Sequence, residues 1–283
     1  MTFLSDFGQV DEFVGVVKSV LRRLAPEAAV VDLTHEVAPQ DVKGAALALE
    51  RALPWLAPGV VLAVVDPGVG TSRRGVALEP AAPGRGGSRP GDLVFVGPDN
   101  GLLLPALRAL GGVGRAVALD RRRLPPSARV GPGRLPGPTF DGRDLFAPAV
   151  ARLCTGADLT ELGVAIDPAG LVSGPEIGHR QVEGGVAGEV LWVDRYGNAQ
   201  LAIGPEELGD AGRPAEVETV EVEMAGGRVE TARRVGGFGD LAPGELGLVV
   251  DSSGLLALSL DRRSAARHLG LGAGDEVVLR PLR

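Results

Sequence analysis

The sequence predicts two domains. The first is an α/β domain of Rossmann-like, three-layer type around a mainly parallel sheet, over residues 1–170. The second is a C-terminal antiparallel β-barrel domain over residues 180–283. Three observations carry this prediction. Strand-like apolar runs alternate with helix-period runs as far as Gly156, which implies helices packed on a parallel sheet. After about Ile177 the pattern changes to alternating strands joined by hairpin turns, so the boundary falls within 165–182. A chain of 283 residues with 45% apolar content is long enough to build two cores.

The elements follow in order. From Val10, apolar residues recur at three- and four-residue spacing through Phe13, Val16, Val17, Val20, Leu21 and Leu24, and Pro26 stops the helix. "AAVVDLTHEV" reads as a strand, and Asp41 as the N-cap of a helix through Ala45, Leu49 and Leu53. "GVVLAVVD" is apolar on both faces, as a buried parallel strand is. "DLVFVGPDNGLLLPALRALGG" repeats the unit as strand, turn, helix and closing Gly111. A further helix spans Leu145 to Cys154. The Pro/Gly-rich stretch 80–92 reads as a mobile loop. The stretch 120–138 has no regular period and leads into "TFDGRD"; a loop of that length in a compact domain is more often functional than idle. In the second domain Val220, Val222 and Met224 alternate with Glu221 and Glu223 ahead of Gly226-Gly227. "LGLVVDSSGLLALSL" forms a second hairpin around Ser252-Ser253-Gly254.

Composition narrows the function. No apolar run is long enough for a membrane span. "MTFLSDFG" lacks the basic and apolar regions of a signal peptide, so a cytoplasmic location is expected. A net charge of -7 argues against a nucleic-acid partner. Cys154 is the sole cysteine, which excludes an internal disulfide and a cysteine-rich metal site. His35, His179 and His268 form no spaced pair for zinc, and a lone histidine is more often a surface or satisfied core residue. Ser5, Ser252 and Ser253 lack the nucleophile-elbow context.

Ligands of open α/β sheets bind at the carboxyl ends of strands, where this reading places Asp6, Asp32, Asp66 and Asp99. Helix capping accounts for any one of them; it is weaker for four, several flanked by glycines that let a ligand approach the backbone. "VVDPGVGTSRR" is the sharpest case. Gly68-x-Gly70 lacks the third glycine of a dinucleotide loop, with Arg73 in its place, and no Walker motif occurs. What remains is a carboxylate and a guanidinium close together at a strand end. They form either a structural brace or a catalytic pair.

Seven stretches now fall into one order: "SDFGQVDEFVGVVKSVL", "VDLTHEVAPQDVKGAA", "VVDPGVGTSRR", "VGPDNGLL", "TFDGRDLFAPAVA", "VDRYGNAQL" and "DSSGLLALSL". Together they resemble the S-adenosyl-L-methionine hydrolases, or hydroxide adenosyltransferases, relatives of the enzymes that attach fluoride or chloride to the same substrate. The resemblance spans nearly the whole chain. It implies attack of water on ribose C5' to yield adenosine and methionine, with no metal or redox cofactor. It also implies a homotrimer whose sites lie between the N-terminal domain of one subunit and the C-terminal domain of the next.

On this resemblance Asp66 orients water and accepts its proton, and Arg73 fixes Asp66. Asp6 accepts the ribose hydroxyls, or else serves as a cap or turn acid. Phe140 and Tyr196 sandwich adenine, with a core role still open for Phe140. Asp194 meets the methionine ammonium, Asn198 a polar edge of the nucleoside, and Ser252 the methionine carboxylate. The halogenases have arginine at the Ser253 position, so carboxylate binding here is weaker or different. Asp99 and Asn100 either line the site or cap the next helix, and the cap is preferred. The halogenases also carry an uncharged residue at the Asp66 position. An anion there repels a halide at 4 Å by about 4 kcal/mol at an effective dielectric of 20, which disfavours halide-dependent adenosyl transfer.

One departure stands out. The hydrolases usually have histidine where "TFDGRD" has Asp141. Either Asp141 enters the pocket as a third catalytic residue, able to accept a water proton but not to donate one as imidazole would, so that two carboxylates flank Arg73 as a coupled set, or it turns outward beside Gly142. Two other readings stay open: a non-catalytic binder of S-adenosylmethionine or adenosine, motivated by Asp141, and a metal-dependent phosphohydrolase on Asp6, Asp66 and Asp99.

Overall fold

The computed structural model describes residues 1–81, 93–127, 137–176, 178–208 and 219–282. The loop readings at 82–92 and 128–136 lie outside the described residues. The chain divides into two compact units, Met1–Pro175 and Glu176–Arg283.

The first unit runs β1 (Thr2–Ser5), α1 (Phe13–Leu24), β2 (Val31–Thr34), α2 (Val42–Ala52), β3 (Gly59–Val64), β4 (Gly75–Pro80), β5 (Leu93–Pro98), α3 (Leu104–Ala109), β6 (Val113–Leu119), α4 (Ala147–Cys154) and β7 (Gly163–Ala165). The sheet order is β2-β1-β3-β5-β4-β6-β7. The β2-β1-β3-β5 half is parallel, and β4, β6 and β7 extend it with antiparallel pairs. Helices cover both faces. Val17, Val20 and Leu21 of α1 and Ala147, Val150 and Ala151 of α4 pack against Phe3, Leu62, Val64 and Val96. On the other face Ala45 and Leu49 of α2 and Ala106 and Leu107 of α3 pack against Leu4, Val61, Ala63 and Phe95. Strand residues therefore alternate between two cores, which is why "GVVLAVVD" is apolar throughout.

Local chemistry sets the ends. The α1 apolar stripe starts at Phe13 rather than Val10, which is almost fully exposed. Asp41 caps α2, its carboxylate accepting Gly44 N–H at 2.8 Å. The expected helix from Leu145 opens with a π-helical turn, Gly142–Phe146, before α4.

The second unit contains β8 (His179–Val182), β9 (Gly185–Val193), β10 (Ala199–Leu201), β11 (Thr219–Met224), β12 (Val229–Arg234), β13 (Leu246–Val250), β14 (Leu256–Leu260), α5 (Ala265–Leu269) and β15 (Glu276–Leu282). The order β10-β14-β13-β12-β11-β15-β9 closes through a β10–β9 pairing into a seven-stranded barrel, with β8 added beside β9. All neighbours are antiparallel except β12 and β13. The β11–β12 hairpin turns through Gly226 and Gly227, at φ 83° and 78°, a conformation that non-glycine residues adopt only at a cost.

Candidate active site

Strands β1, β3 and β5 are parallel neighbours, so their carboxyl ends lie at one edge of the sheet, and Asp6, Asp66 and Asp99 follow those ends. Asp32 does not belong with them. It lies within β2, where it pairs with Lys18 at 2.5 Å and approaches His35 Nε2 at 3.1 Å. Burial pushes its carboxyl up, but Lys18 and His35 outweigh that and hold it below the usual value.

Asp6 sits on a braced segment. Buried His35 shares a 2.8 Å hydrogen bond with Ser5 Oγ, and its carbonyl accepts Gly8 N–H at 2.8 Å. One Asp6 oxygen accepts Gln40 N–H at 2.9 Å.

The chain after β3 folds back by two successive turns. Val69 N–H reaches Asp66 O at 3.2 Å and Thr71 N–H reaches Gly68 O at 3.2 Å, with Gly70 at φ 79°. The Thr71 hydroxyl then accepts Arg73 N–H at 3.2 Å. These turns return Arg73 to Asp66, and a Cβ at Gly68 would crowd the Arg73 stem at 3.4 Å. Arg73 Nε donates to Asp66 Oδ1 at 3.0 Å and Nη2 to Oδ2, a bidentate pair. Both side chains are buried. The guanidinium also lies 5.5 Å over the Phe146 ring, a cation–π contact.

Asp141 turns inward. Its Oδ2 accepts from Arg73 Nη2 at 2.9 Å, and its Oδ1 pairs with Arg121. The π-helical turn places it there, with Arg143 and Asp144 N–H both reaching Phe140 O, at 3.1 and 3.0 Å. Two carboxylates thus flank Arg73. Burial pushes the Asp66 carboxyl up and the Asp141 charge adds to this, against the downward pull of Arg73; the net direction is upward. Asp6, Asp66, Phe140 and Asp141, with Phe7 and Gln40, line one cavity of about 300 Å³. Phe140 is also part of an aromatic cluster, its ring centroid 5.6 Å from Phe7 and 5.1 Å from Phe13.

Asp99 is engaged elsewhere. It pairs with Arg74 through Nε at 2.9 Å and accepts Val172 N–H at 2.9 Å. Asn100 ties Val65 O to the turn before α3.

In the second unit Asp194, Tyr196 and Asn198 form the β9–β10 turn. The Asp194 carboxylate accepts N–H from Tyr196 at 2.8 Å and from Asn198 at 2.9 Å, and the Asn198 amide at 2.8 Å. Its hydrogen bonds are thus made within the turn. Tyr196 is 76% exposed and, with Asn198, Phe238, Arg262 and Arg263, borders a cavity of about 440 Å³. Ser252 is exposed in a different turn, between β13 and β14.

Sequence reasoning missed Arg121. Its signal was present in the run Arg121-Arg122-Arg123 that opens the irregular stretch before "TFDGRD", but nothing in the run singles out one arginine.

Comparison with known proteins shows what the chain as a whole is similar to. The SAM hydroxide adenosyltransferase N-terminal domain matches residues 1–163 and the corresponding C-terminal domain matches residues 188–278. A Salinispora tropica protein named (R)-S-adenosyl-L-methionine hydrolase is 44% identical, covering 98% of this chain and 96% of its own. A Thermus thermophilus protein of the same name is 43% identical, with 98% of each chain covered. The crystal structure of an uncharacterized conserved protein from Thermotoga maritima superposes with a TM-score of 0.84 at 32% identity, covering 99% of each chain.

Proposed function

The chain belongs to the SAM hydroxide adenosyltransferase family, and from that premise we propose that it hydrolyses S-adenosyl-L-methionine to adenosine and L-methionine through Asp66 and Arg73. The observation that carries the reading is the buried, bidentate Asp66–Arg73 pair beside a cavity that Asp6 also lines.

Water attacks ribose C5'. The new O–C5' bond forms as the C5'–S bond breaks, and its electron pair leaves with sulfur as the neutral thioether of methionine. Asp66 takes the water proton and releases it to solvent, a task that suits a carboxyl raised above its ordinary value yet held ionised by a guanidinium. Arg73 fixes the carboxylate plane, so the lone pair that meets the water is set before substrate arrives. Hydroxide character and sulfonium charge cancel in the transition state, which favours a cavity with little water. Asp6 keeps one oxygen beyond its Gln40 bond for the ribose hydroxyls. Phe140, at the cavity wall, is one of the two rings that would sandwich adenine.

Tyr196, Asn198, Asp194 and Ser252 belong to the second unit and complete the site in this reading. They do so across a homotrimer in which residues 180–283 of one subunit meet residues 1–170 of the next. Asp194 then acts chiefly by shaping the turn that presents Tyr196 and Asn198. The names of the two relatives specify the (R) epimer, and the same preference is proposed here.

A metal-dependent phosphohydrolase is disfavoured by the donors themselves, since Asp66 and Asp99 each hold an arginine. Incubation with S-adenosyl-L-methionine, without halide or added metal and in the presence of a chelator, is the test. Adenosine and methionine in equal amounts support the reading. Calorimetric binding with no product would leave a non-catalytic binder, and intact, unbound substrate would remove the reading altogether.

A further inference from the structure

We infer that Arg121 is a positioning residue of this site: it holds Asp141 against Arg73 and cancels its charge, leaving Asp66 as the acid free to take a proton. The inference rests on the proposed hydrolysis for its catalytic meaning, but its electrostatic content stands on the geometry alone.

Four charges alternate in the order Asp66, Arg73, Asp141, Arg121, the two acids lining the cavity and the two arginines standing behind them. Asp141 is buried, and each of its oxygens meets one arginine. A buried carboxylate needs a countercharge, because its desolvation is otherwise uncompensated. Arg73 cannot serve alone. It gives Nε and Nη2 to Asp66 and only shares Nη2 with Asp141. Two carboxylates on one guanidinium leave one negative charge in excess, and such a pair holds on to a proton. Arg121 brings the set to neutrality.

The arginine run at 121–123 divides its labour. Arg122 pairs with Asp120, which also caps this turn. Arg123 donates to Gly163 O at 2.7 Å and Thr160 O at 3.1 Å, pinning the turn to the start of β7. Arg121 alone of the three reaches Asp141, with about half of its side chain exposed. A run of three arginines would ordinarily be a solvated face; here Arg123 fastens the turn to neighbouring backbone while Arg121 points at a buried acid.

Among the described residues, the charged groups facing this set come from four segments. Asp6 follows β1 and lines the same cavity. Asp66 and Arg73 follow β3, Arg121 follows β6, Asp141 immediately precedes the π-helical turn, and Arg143 and Asp144 belong to it. Asp144 does not compete for Arg121 by hydrogen bonding, since Arg143 holds it at 2.8 and 2.6 Å and Ser127 also donates to it. Arg121 does contribute to its field. The Asp141 charge raises the Asp66 carboxyl even with Arg121 in place, so Arg121 offsets that repulsion in part and its loss would strengthen it.

The experiment compares the full-length protein with Arg121→Gln, Arg121→Lys and the double variant Arg121→Gln/Asp141→Asn. Two quantities are followed against pH: kcat with S-adenosyl-L-methionine, and the carboxyl carbon shifts of the aspartates by NMR in the substrate-free protein. Arg121→Gln should move the acid limb of kcat, and the titration of Asp66, upward by about one pH unit. Below the limb that is a further loss of about tenfold relative to its own plateau. Arg121→Lys should keep the wild-type limb, and the double variant should return to it. A uniform fall in kcat with an unmoved limb and titration would reduce Arg121 to a structural role and overturn the inference. So would a double variant shifted as far as the single one. If the wild type turns over no substrate, the proposed hydrolysis fails, and the carboxyl titration still decides the part played by Arg121.

Discussion

Arg73 grips Asp66 through two nitrogens, with Nε 3.0 Å from Oδ1 and Nη2 on Oδ2, although six residues, two of them glycines, lie between them. A pair built only to brace the loop would serve equally well facing solvent. This one is buried, its Asp66 borders a cavity that Asp6 also lines, and Asp141 is a second acid on the same guanidinium. From that relationship the following outcomes are expected.

Asp66→Asn preserves the shape of the side chain and removes the base. Turnover of S-adenosyl-L-methionine should fall by about 10²–10⁴-fold, with KM changed far less, because the lost contact is made mainly in the transition state. Adenosine release followed by chromatography, beside a melting curve to confirm the fold, checks this. Unchanged turnover would remove Asp66 from the mechanism.

The pH profile has a definite sign. Asp66 must be ionised to accept the proton, and burial raises its carboxyl above the ordinary 3.8. As pH falls, kcat should therefore decline through an apparent pKa above 3.8. A rate flat down to pH 4 would contradict the assignment.

Asp6→Ala should act on binding. Removing a charged acceptor for the ribose hydroxyls is expected to raise KM by roughly 10–150-fold, corresponding to about 1.5–3 kcal/mol for a hydrogen bond to a charged group. Steady-state kinetics on substrate and competition by adenosine read this directly. An unaltered KM would leave Asp6 as a turn residue tied to Gln40.

Gly97 tests the scaffold. A Cβ on this β5 residue would come within 2.3 Å of Ala63 O on the neighbouring β3, the strand that delivers Asp66. Gly97→Ala should destabilise by about 1–3 kcal/mol through overpacking, lowering the melting temperature by several degrees. Calorimetry on the purified variant provides the check.

The elements most legible in the sequence are those whose periodicity reports burial. The α1 stripe of Val17, Val20 and Leu21 is buried as spaced, and the glycine turns before β12 and β14 mark the barrel hairpins. The antiparallel half of the first sheet was not legible. Runs such as Val76–Leu78 in β4 are buried on both faces, and a short apolar run carries no record of strand direction. Asp32 was misplaced for a related reason. It looks like an acid closing an apolar run, but β2 is an edge strand where Lys18 can reach it in mid-strand. Asp66 and Arg73 were legible because they share one loop. Arg121 and Asp141 are twenty residues apart, and only the return of the chain into the π-helical turn brings them together.

The central claim is that water, steered by Asp66, displaces sulfur at C5' directly. A single turnover in H₂¹⁸O with enzyme in excess, read by mass spectrometry, tests it. The account predicts one ¹⁸O in the 5'-hydroxyl of the first adenosine released and none in methionine. Unlabelled adenosine from that first turnover would mean that a protein oxygen, such as the Asp66 carboxylate, attacked the sugar, and the account would be wrong.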